Sequence, residues 1–466
     1  MPASDVPAVQ ASKAIPAHLL RDEVELPEVA EVDIVRHYTN LSRRNFGVDL
    51  GFYPLGSCTM KYNPKVNEEA AKLPGFTQQH PYAPAEWSQG SMQMMYELRQ
   101  MLSEILGMKD FTLQPAAGAH GELTGVMMIK KYFDRLGQKR TKILIPDAAH
   151  GTNPASGALC GFQTVEVRSN AEGGVDLDHL RELMTEDVAG LMLTNPNTVG
   201  LFERNLEQVM EIVKSKGGIM YCDGANANAY IGTNRPGDLG FDVIQLNLHK
   251  TFSTPHGCGG PGSGPVGVSE KLVDFLPVPR VVKKGDAYEW EYDAPDSIGR
   301  VKAFYGNFNV MIKAYTYIRS LGAAGLKRAS ENAVLNANYI KEKLRDHYQL
   351  AFDRICMHEV VFSGEKQVKE SGVHTADIAK RLLDYGVHPP TIYFPMIVPE
   401  AIMIEPNETE SKETLDDFCE IMIKIAGEAK ENPEMLHKAP LTMPVKRLDG
   451  VQAARQPDVC FSGGCC

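Results

Sequence analysis

Five short apolar runs punctuate the middle of this chain, at Lys142–Pro146, Thr164–Arg168, Gly190–Thr194, Gly218–Cys222 and Val243–Leu248, with helical periodicity at Asp176–Thr185 and Leu206–Lys216 between some of them. Strands that alternate with helices build a parallel sheet wrapped by helices, so the pattern predicts an α/β fold. Upstream, Trp87, Met94, Met95, Leu98, Leu102 and Leu106 recur at three- and four-residue spacing, which predicts a helix over Pro84–Leu106 ended by Gly107. The methionine stripe on it reads as core packing. After Gly306 the pattern changes to longer helices, Phe308–Leu321 and Ser330–Asp346. We therefore expect an N-terminal arm over 1–75, a large α/β domain over 76–308, a small α+β domain over 309–447 and a tail over 448–466.

Composition excludes several classes of function. The 48 Lys and Arg against 59 Asp and Glu leave a formal charge of −11, which offers no basic field to a nucleic-acid backbone. The longest apolar stretch, Thr391–Ile404, is broken by Pro395, Pro399 and Glu400 and falls short of the roughly 20 residues a membrane span needs. Met1–Glu31 has neither the basic end and apolar block of a secretory signal nor an Arg-rich transit pattern, so a cytoplasmic protein is expected. Nine cysteines, an odd number without metal-ligand spacing, predict reduced thiols, no disulfide framework and no metal site. Cys460, Cys465 and Cys466 lie in a tail expected to be exposed and open to oxidation.

Chemistry concentrates at the carboxyl ends of the strand-like runs, where ligands of open α/β sheets collect. Lys250 ends the run Leu246–Phe252 just ahead of a glycine-dense loop, and Asp223 ends the apolar segment before it. Alone, the lysine reads as a solvated loop residue and the aspartate as a helix cap. Together they form the pairing a pyridoxal 5'-phosphate (PLP) enzyme needs: an amine for a Schiff base with the cofactor aldehyde, and a carboxylate that keeps the pyridine nitrogen protonated. The small residues of Gln114–Gly121 precede a helical run, Glu122–Leu136, and suit either a phosphate at a helix start or a plain helix start. His150 follows the strand Lys142–Pro146 and is placed to stack on a pyridine ring. Arg300 reads equally as a fork for a substrate carboxylate or as a surface arginine.

Several strings spread over about residues 40–455 carry a resemblance: Pro54-Leu55-Gly56-Ser57-Cys58-Thr59-Met60-Lys61, Gln114–Glu122, His150-Gly151-Thr152-Asn153-Pro154-Ala155-Ser156, Thr194-Asn195-Pro196-Asn197-Thr198 and Asn247-Leu248-His249-Lys250-Thr251-Phe252. Jointly the chain resembles the P-protein of the glycine cleavage system, in the form of its C-terminal half made as a separate second subunit. The resemblance implies a fold-type-I PLP-dependent transferase, aspartate aminotransferase-like in its large domain, with a smaller α+β C-terminal domain. It implies that glycine is decarboxylated and its aminomethyl group passed to the lipoyl arm of H-protein, with P-protein subunit 1 as partner in an α2β2 heterotetramer. Carried over, Lys250 is the Schiff-base lysine, Asp223 the partner of the pyridine nitrogen and His150 the ring-stacking residue. Ala117, Gly118, Ala119, Asn247 and His249 complete the cofactor pocket, and Ser57 and Thr59 join Arg300 near the substrate. Cys258 departs from the family's pattern, which has glycine there. Two alternatives stay open: another fold-type-I decarboxylase or acyl-transferring synthase, and a non-catalytic scaffold subunit.

Overall fold

A computed structural model describes residues 10–20, 27–256 and 260–459. Cys258 and the cysteines of the tail lie outside them. The chain divides into two compact units, 1–46 and 47–466. The first contains the helix Glu31–Ser42, none of whose residues is buried. No described helix is long and apolar enough to cross a membrane.

In the second unit, helix α1 (Gln89–Leu106) ends at Gly107, whose φ of 71° places it in the left-handed region that favours glycine at a helix terminus. Trp87 does not join its apolar stripe. It sits in a separate 3-10 turn, Ala85–Trp87, and is 74% exposed, because the turn breaks the helical phase before α1 begins.

Seven strands follow: β1 (Asp110–Thr112), β2 (Lys142–Pro146), β3 (Gln163–Val167), β4 (Val188–Thr194), β5 (Ile219–Gly224), β6 (Val243–Leu246) and β7 (Val266–Val268), in the spatial order β1-β7-β6-β5-β4-β2-β3. Each neighbouring pair from β2 to β6 is parallel, as expected. The remaining edge is mixed, since β7 runs antiparallel to β6 and β1 antiparallel to β7. Three-residue strands carry too little periodicity to be read from sequence.

Period-two alternation distributes β5 between two cores. Met220 and Cys222 pack on the side of α1 with Leu98, Leu102 and Leu106. Ile219 and Tyr221 pack on the opposite side with Val126, Ile129 and Phe133 of helix α2 (Gly118–Arg135). Each large aliphatic side chain buried this way stabilises the fold by about 1.5–3 kcal/mol. Asp223 continues the second face, toward α2.

The two helices expected after Gly306 are joined into one long element, α3 (Phe308–Leu344), broken at Gly322 with φ 61°. Its second half packs through Ala337, Ile340 and Leu344 against the smaller antiparallel sheet, β10-β11-β13-β12, made of β10 (Gln349–Leu350), β11 (Val360–Ser363), β12 (Thr391–Ile392) and β13 (Ala401–Ile404). Between the two sheets in sequence lies the hairpin of β8 (Arg280–Lys284) and β9 (Ala287–Glu291). Helix α4 (Lys412–Glu431) covers the small sheet with Phe418, Met422 and Ile425.

Candidate active site

Strand register gathers the first part of the site. Asp223 of β5 pairs with Thr194 of β4 and Gln245 of β6, so three polar side chains share one row near the strands' carboxyl ends. Asp223 is 2% exposed, and its carboxylate accepts from Thr194 Oγ1 at 3.3 Å and Ala225 N at 3.0 Å. β6 stops at Leu246 because Asn247 turns the backbone into a single helical turn, Leu248–Thr251, and it is this turn that carries Lys250. Buried Lys61 braces the same turn, donating to Thr251 O at 2.8 Å while pairing with Glu408 Oε1 at 2.7 Å.

The helix after Gln114–Ala117 begins at Gly118, four residues earlier than the sequence pattern suggests, with Ala117 as its extended N-cap and no side chain capping it. Its first-turn N–H groups are therefore left for a ligand. The backbone approaches its neighbours too closely for larger residues: a Cβ on Gly118 would lie 2.5 Å from Asn247 Oδ1, and one on Gly264 2.0 Å from Ala117 O. Around Lys250, His249 Nδ1 accepts from Ser263 N at 3.2 Å, and the His249 ring meets that of His256 edge-on at 5.2 Å. Burial holds His249 down to about 3 and His256 to about 4, so both rings are neutral. Thr251 Oγ1, Thr254 Oγ1, Ser263 Oγ and His256 Nε2 are buried with no hydrogen-bond partner. Such orphans mark polar groups that await a ligand.

The segment Pro54–Lys61 closes over this end. Lys250 Nζ donates to Ser57 O at 2.7 Å. Ser57 and Thr59 have φ of 64° and 50°, a region disfavoured for non-glycine residues and most of all for a β-branched one, at about 1–3 kcal/mol each. Two fully buried glutamates hold the strain. Glu359 Oε2 accepts from Ser57 N at 2.8 Å, while Glu405 accepts from Thr59 N at 2.8 Å and from Thr59 Oγ1 at 2.5 Å. Burial and then the charge of Glu405 push Glu359 well above the usual carboxylate range. Buried His358 lies 3.8 Å from Glu359 and 4.0 Å from Glu405. The three residues each bring one donor atom within 4.8 Å of the others, a spacing that spans a cation or a shared proton.

His150 lies beyond β2, exposed, its ring edge-on to Phe394 at 5.9 Å. Burial of part of the ring and then the charge of Lys250 lower its basicity. Its Nδ1 is 3.0 Å from Thr152 Oγ1, which in turn lies 2.8 Å from Glu122 Oε1. Glu122 is buried on α2, and burial followed by the charge of Asp223 pushes its carboxyl up to about 8. Arg300 is exposed instead, with its guanidinium on the rings of Tyr305 and Tyr82 at 5.3 and 5.9 Å and a 3.1 Å hydrogen bond to Tyr82 Oη. Its hydrogen bond and ring contacts are to these aromatic residues rather than to Lys250, Asp223 or His150.

Sequence reasoning missed Glu122, Glu359 and Glu405. For Glu122 a signal existed: on α2 it shares the sheet-facing side with Gly118, Gly125 and Ile129, where an acidic residue has no place in a plain core. The two glutamates act over separations of 302 and 346 residues and left none.

The family model "Glycine cleavage system P-protein" matches residues 7–288 and "Glycine dehydrogenase, C-terminal domain" matches 329–441. A protein of Caldanaerobacter subterraneus subsp. tengcongensis described as probable glycine dehydrogenase (decarboxylating) subunit 2 is 62% identical over 459 residues, 98% of this chain and 94% of that relative. Among solved structures, a glycine decarboxylase (P-protein) of the glycine cleavage system in inhibitor-bound form superposes with TM-score 0.73 at 18% identity, over 89% of this chain and 94% of that one. Lactobacillus brevis glutamate decarboxylase superposes with TM-score 0.67 at 14% identity, over 91% and 97%. The structural likenesses show the fold, an α/β architecture shared with these decarboxylases. With most of its residues shared with a relative across nearly its whole length, and the family model spanning more than half of it, the chain belongs to the glycine cleavage system P-protein family.

Proposed function

We propose that this chain decarboxylates glycine with PLP held at Lys250 and passes the aminomethyl group to the lipoyl arm of H-protein, in an α2β2 assembly with a separate subunit 1. The carrying observation is a buried carboxylate, Asp223, whose donors among the described residues are both neutral, at the sheet end where Lys250 enters. A buried carboxylate favours a cationic partner, and a protonated pyridine nitrogen is one. When bound, PLP supplies the electron sink that lets glycine lose carbon dioxide.

The chain's own residues do the rest. Lys250 provides the covalent link to the cofactor aldehyde, and Asp223 keeps the ring nitrogen protonated. The N–H groups of Ala117, Gly118 and Ala119, with Asn247, serve the phosphate at the uncapped start of α2, and the orphaned hydroxyls of Thr254 and Ser263 fit the same anion. His249 walls the pocket and His150 serves the ring face. Arg300 takes the glycine carboxylate, with Ser57 lining the substrate side. Thr59 shapes that loop through Glu405, to which its hydroxyl is committed. The relative's designation as subunit 2 supports a partner subunit. The unpaired cysteines among the described residues, Cys58, Cys160, Cys222, Cys356 and Cys419, suit the cytoplasm.

Exchange of labelled bicarbonate into glycine tests the reading, with PLP and lipoylated H-protein present. Exchange is expected with subunit 1 added and not without it; full exchange by the chain alone overturns the assembly, and none in the complete mixture overturns the activity. In the same assay Arg300→Ala should raise the KM for glycine about 10- to 100-fold, the worth of a charge-assisted hydrogen bond. An unchanged KM removes Arg300 from the site.

A further inference from the structure

We propose that Glu122 and Thr152 are positioning residues that set the tautomer of His150 and resupply its ring with a proton through two hydrogen bonds. The proposal rests on the reading of His150 as part of the cofactor site. It starts from a proton count. The Thr152 hydroxyl has one proton, yet it lies 2.8 Å from Glu122 Oε1 and 3.0 Å from His150 Nδ1. Only one neighbour can receive that proton, so the other must supply its own.

Two arrangements satisfy the count. With Glu122 neutral, its O–H donates to Thr152 Oγ1, Thr152 donates to Nδ1, and the ring proton sits on Nε2. With Glu122 ionised, Thr152 donates to the carboxylate, Nδ1–H donates to Thr152, and Nε2 carries a lone pair. The Thr152 N–H, 3.3 Å from Nδ1, favours the first arrangement. So does the other carboxyl oxygen: Glu122 Oε2 is buried without a hydrogen-bond partner, a poor site for a charge-bearing oxygen.

The neutral arrangement gives His150 a specific ability. When Nε2–H is given to an acceptor, the Thr152 proton moves to Nδ1 and the Glu122 proton moves to Thr152. The N–H and two O–H bonds that break are replaced one for one, and the net transfer is a single proton from Glu122 to the acceptor. The ring never becomes a cation, which matters because Lys250 and His150 repel as cations. The groups facing this chain are Asp223 and Tyr221 from β5 and Lys250 from the turn after β6. Of these, Asp223 opposes ionisation of Glu122 and Lys250 favours it. The transition lies near pH 8.

The test uses the full-length chain with 15N-labelled histidine, both free of cofactor and loaded with PLP; His150→Asn identifies the His150 ring signals. In wild type the neutral ring's proton should sit on Nε2 below the Glu122 transition and on Nδ1 above it. Thr152→Ser keeps the hydroxyl and should keep this switch. Thr152→Val and Glu122→Gln should both abolish it. In turnover, each should lower kcat about a hundredfold, the lower end of what general acid–base groups contribute, with the KM for glycine within about twofold. The pH profile should lose one ionisation, and the double variant should be no slower than either single one, as for residues in one chain. A ring protonated at the same nitrogen at every pH in wild type, or a switch that survives Thr152→Val, overturns the relay. The cofactor-free spectra do not depend on which substrate the enzyme takes, so absence of turnover throughout counts against the functional reading and leaves the relay to be judged from the ring signals.

Discussion

Lys250→Ala is expected to bind PLP without a covalent link and to lose glycine decarboxylation by roughly a thousandfold or more, since one amine supplies both the link and proton transfer. The side chain is half-buried, and its amine donates to Ser57 O at 2.7 Å. Its removal deletes one hydrogen bond to a loop already fixed by Glu359 and Glu405, so the fold should survive. Wild-type protein should be yellow, and borohydride reduction followed by peptide mapping should find the pyridoxyl group on Lys250. Recovery of that group on a different lysine, or a yellow Lys250→Ala protein with near-normal turnover, would show that the amine has been misassigned.

Asp223→Asn should keep the cofactor and lose the chemistry. The amide is nearly the same shape and its oxygen still accepts from Thr194 or Ala225, so melting temperature should change little. What disappears is the charge. An adjacent carboxylate raises the pKa of a cation by about 1–3 units, so a neutral amide should leave the pyridine nitrogen largely unprotonated and slow turnover roughly a hundredfold to a thousandfold. Absorbance titration of bound PLP and single-turnover decarboxylation measure the two effects separately. Turnover close to wild type would make Asp223 a structural residue.

How much was legible from the chain follows from the range over which each feature is specified. The positions of Lys250, Asp223 and His150 were readable because each follows an apolar run, and parallel strands alternating with helices deliver those ends to one side of the sheet. Their neighbours on the strand or turn supply the context locally. The start of α2 was misplaced because glycine and alanine mask a helix start, and Trp87 was misread because a 3-10 turn interrupts the period it shares with α1. The edge strands β1 and β7 were missed because three residues carry no pattern, and their pairing joins segments far apart in the chain.

The chain by itself therefore determined the parallel part of the sheet, the placing of Lys250 and Asp223 at its carboxyl end and the family. Tertiary structure alone decided how that pair is finished. Glu122 is pushed toward its neutral form because α2 buries it beside Asp223, and Ser57 and Thr59 keep left-handed backbone only because glutamates more than 300 residues away accept their N–H groups. Burial and charge proximity are properties of closed space, and they exist only once distant segments have met.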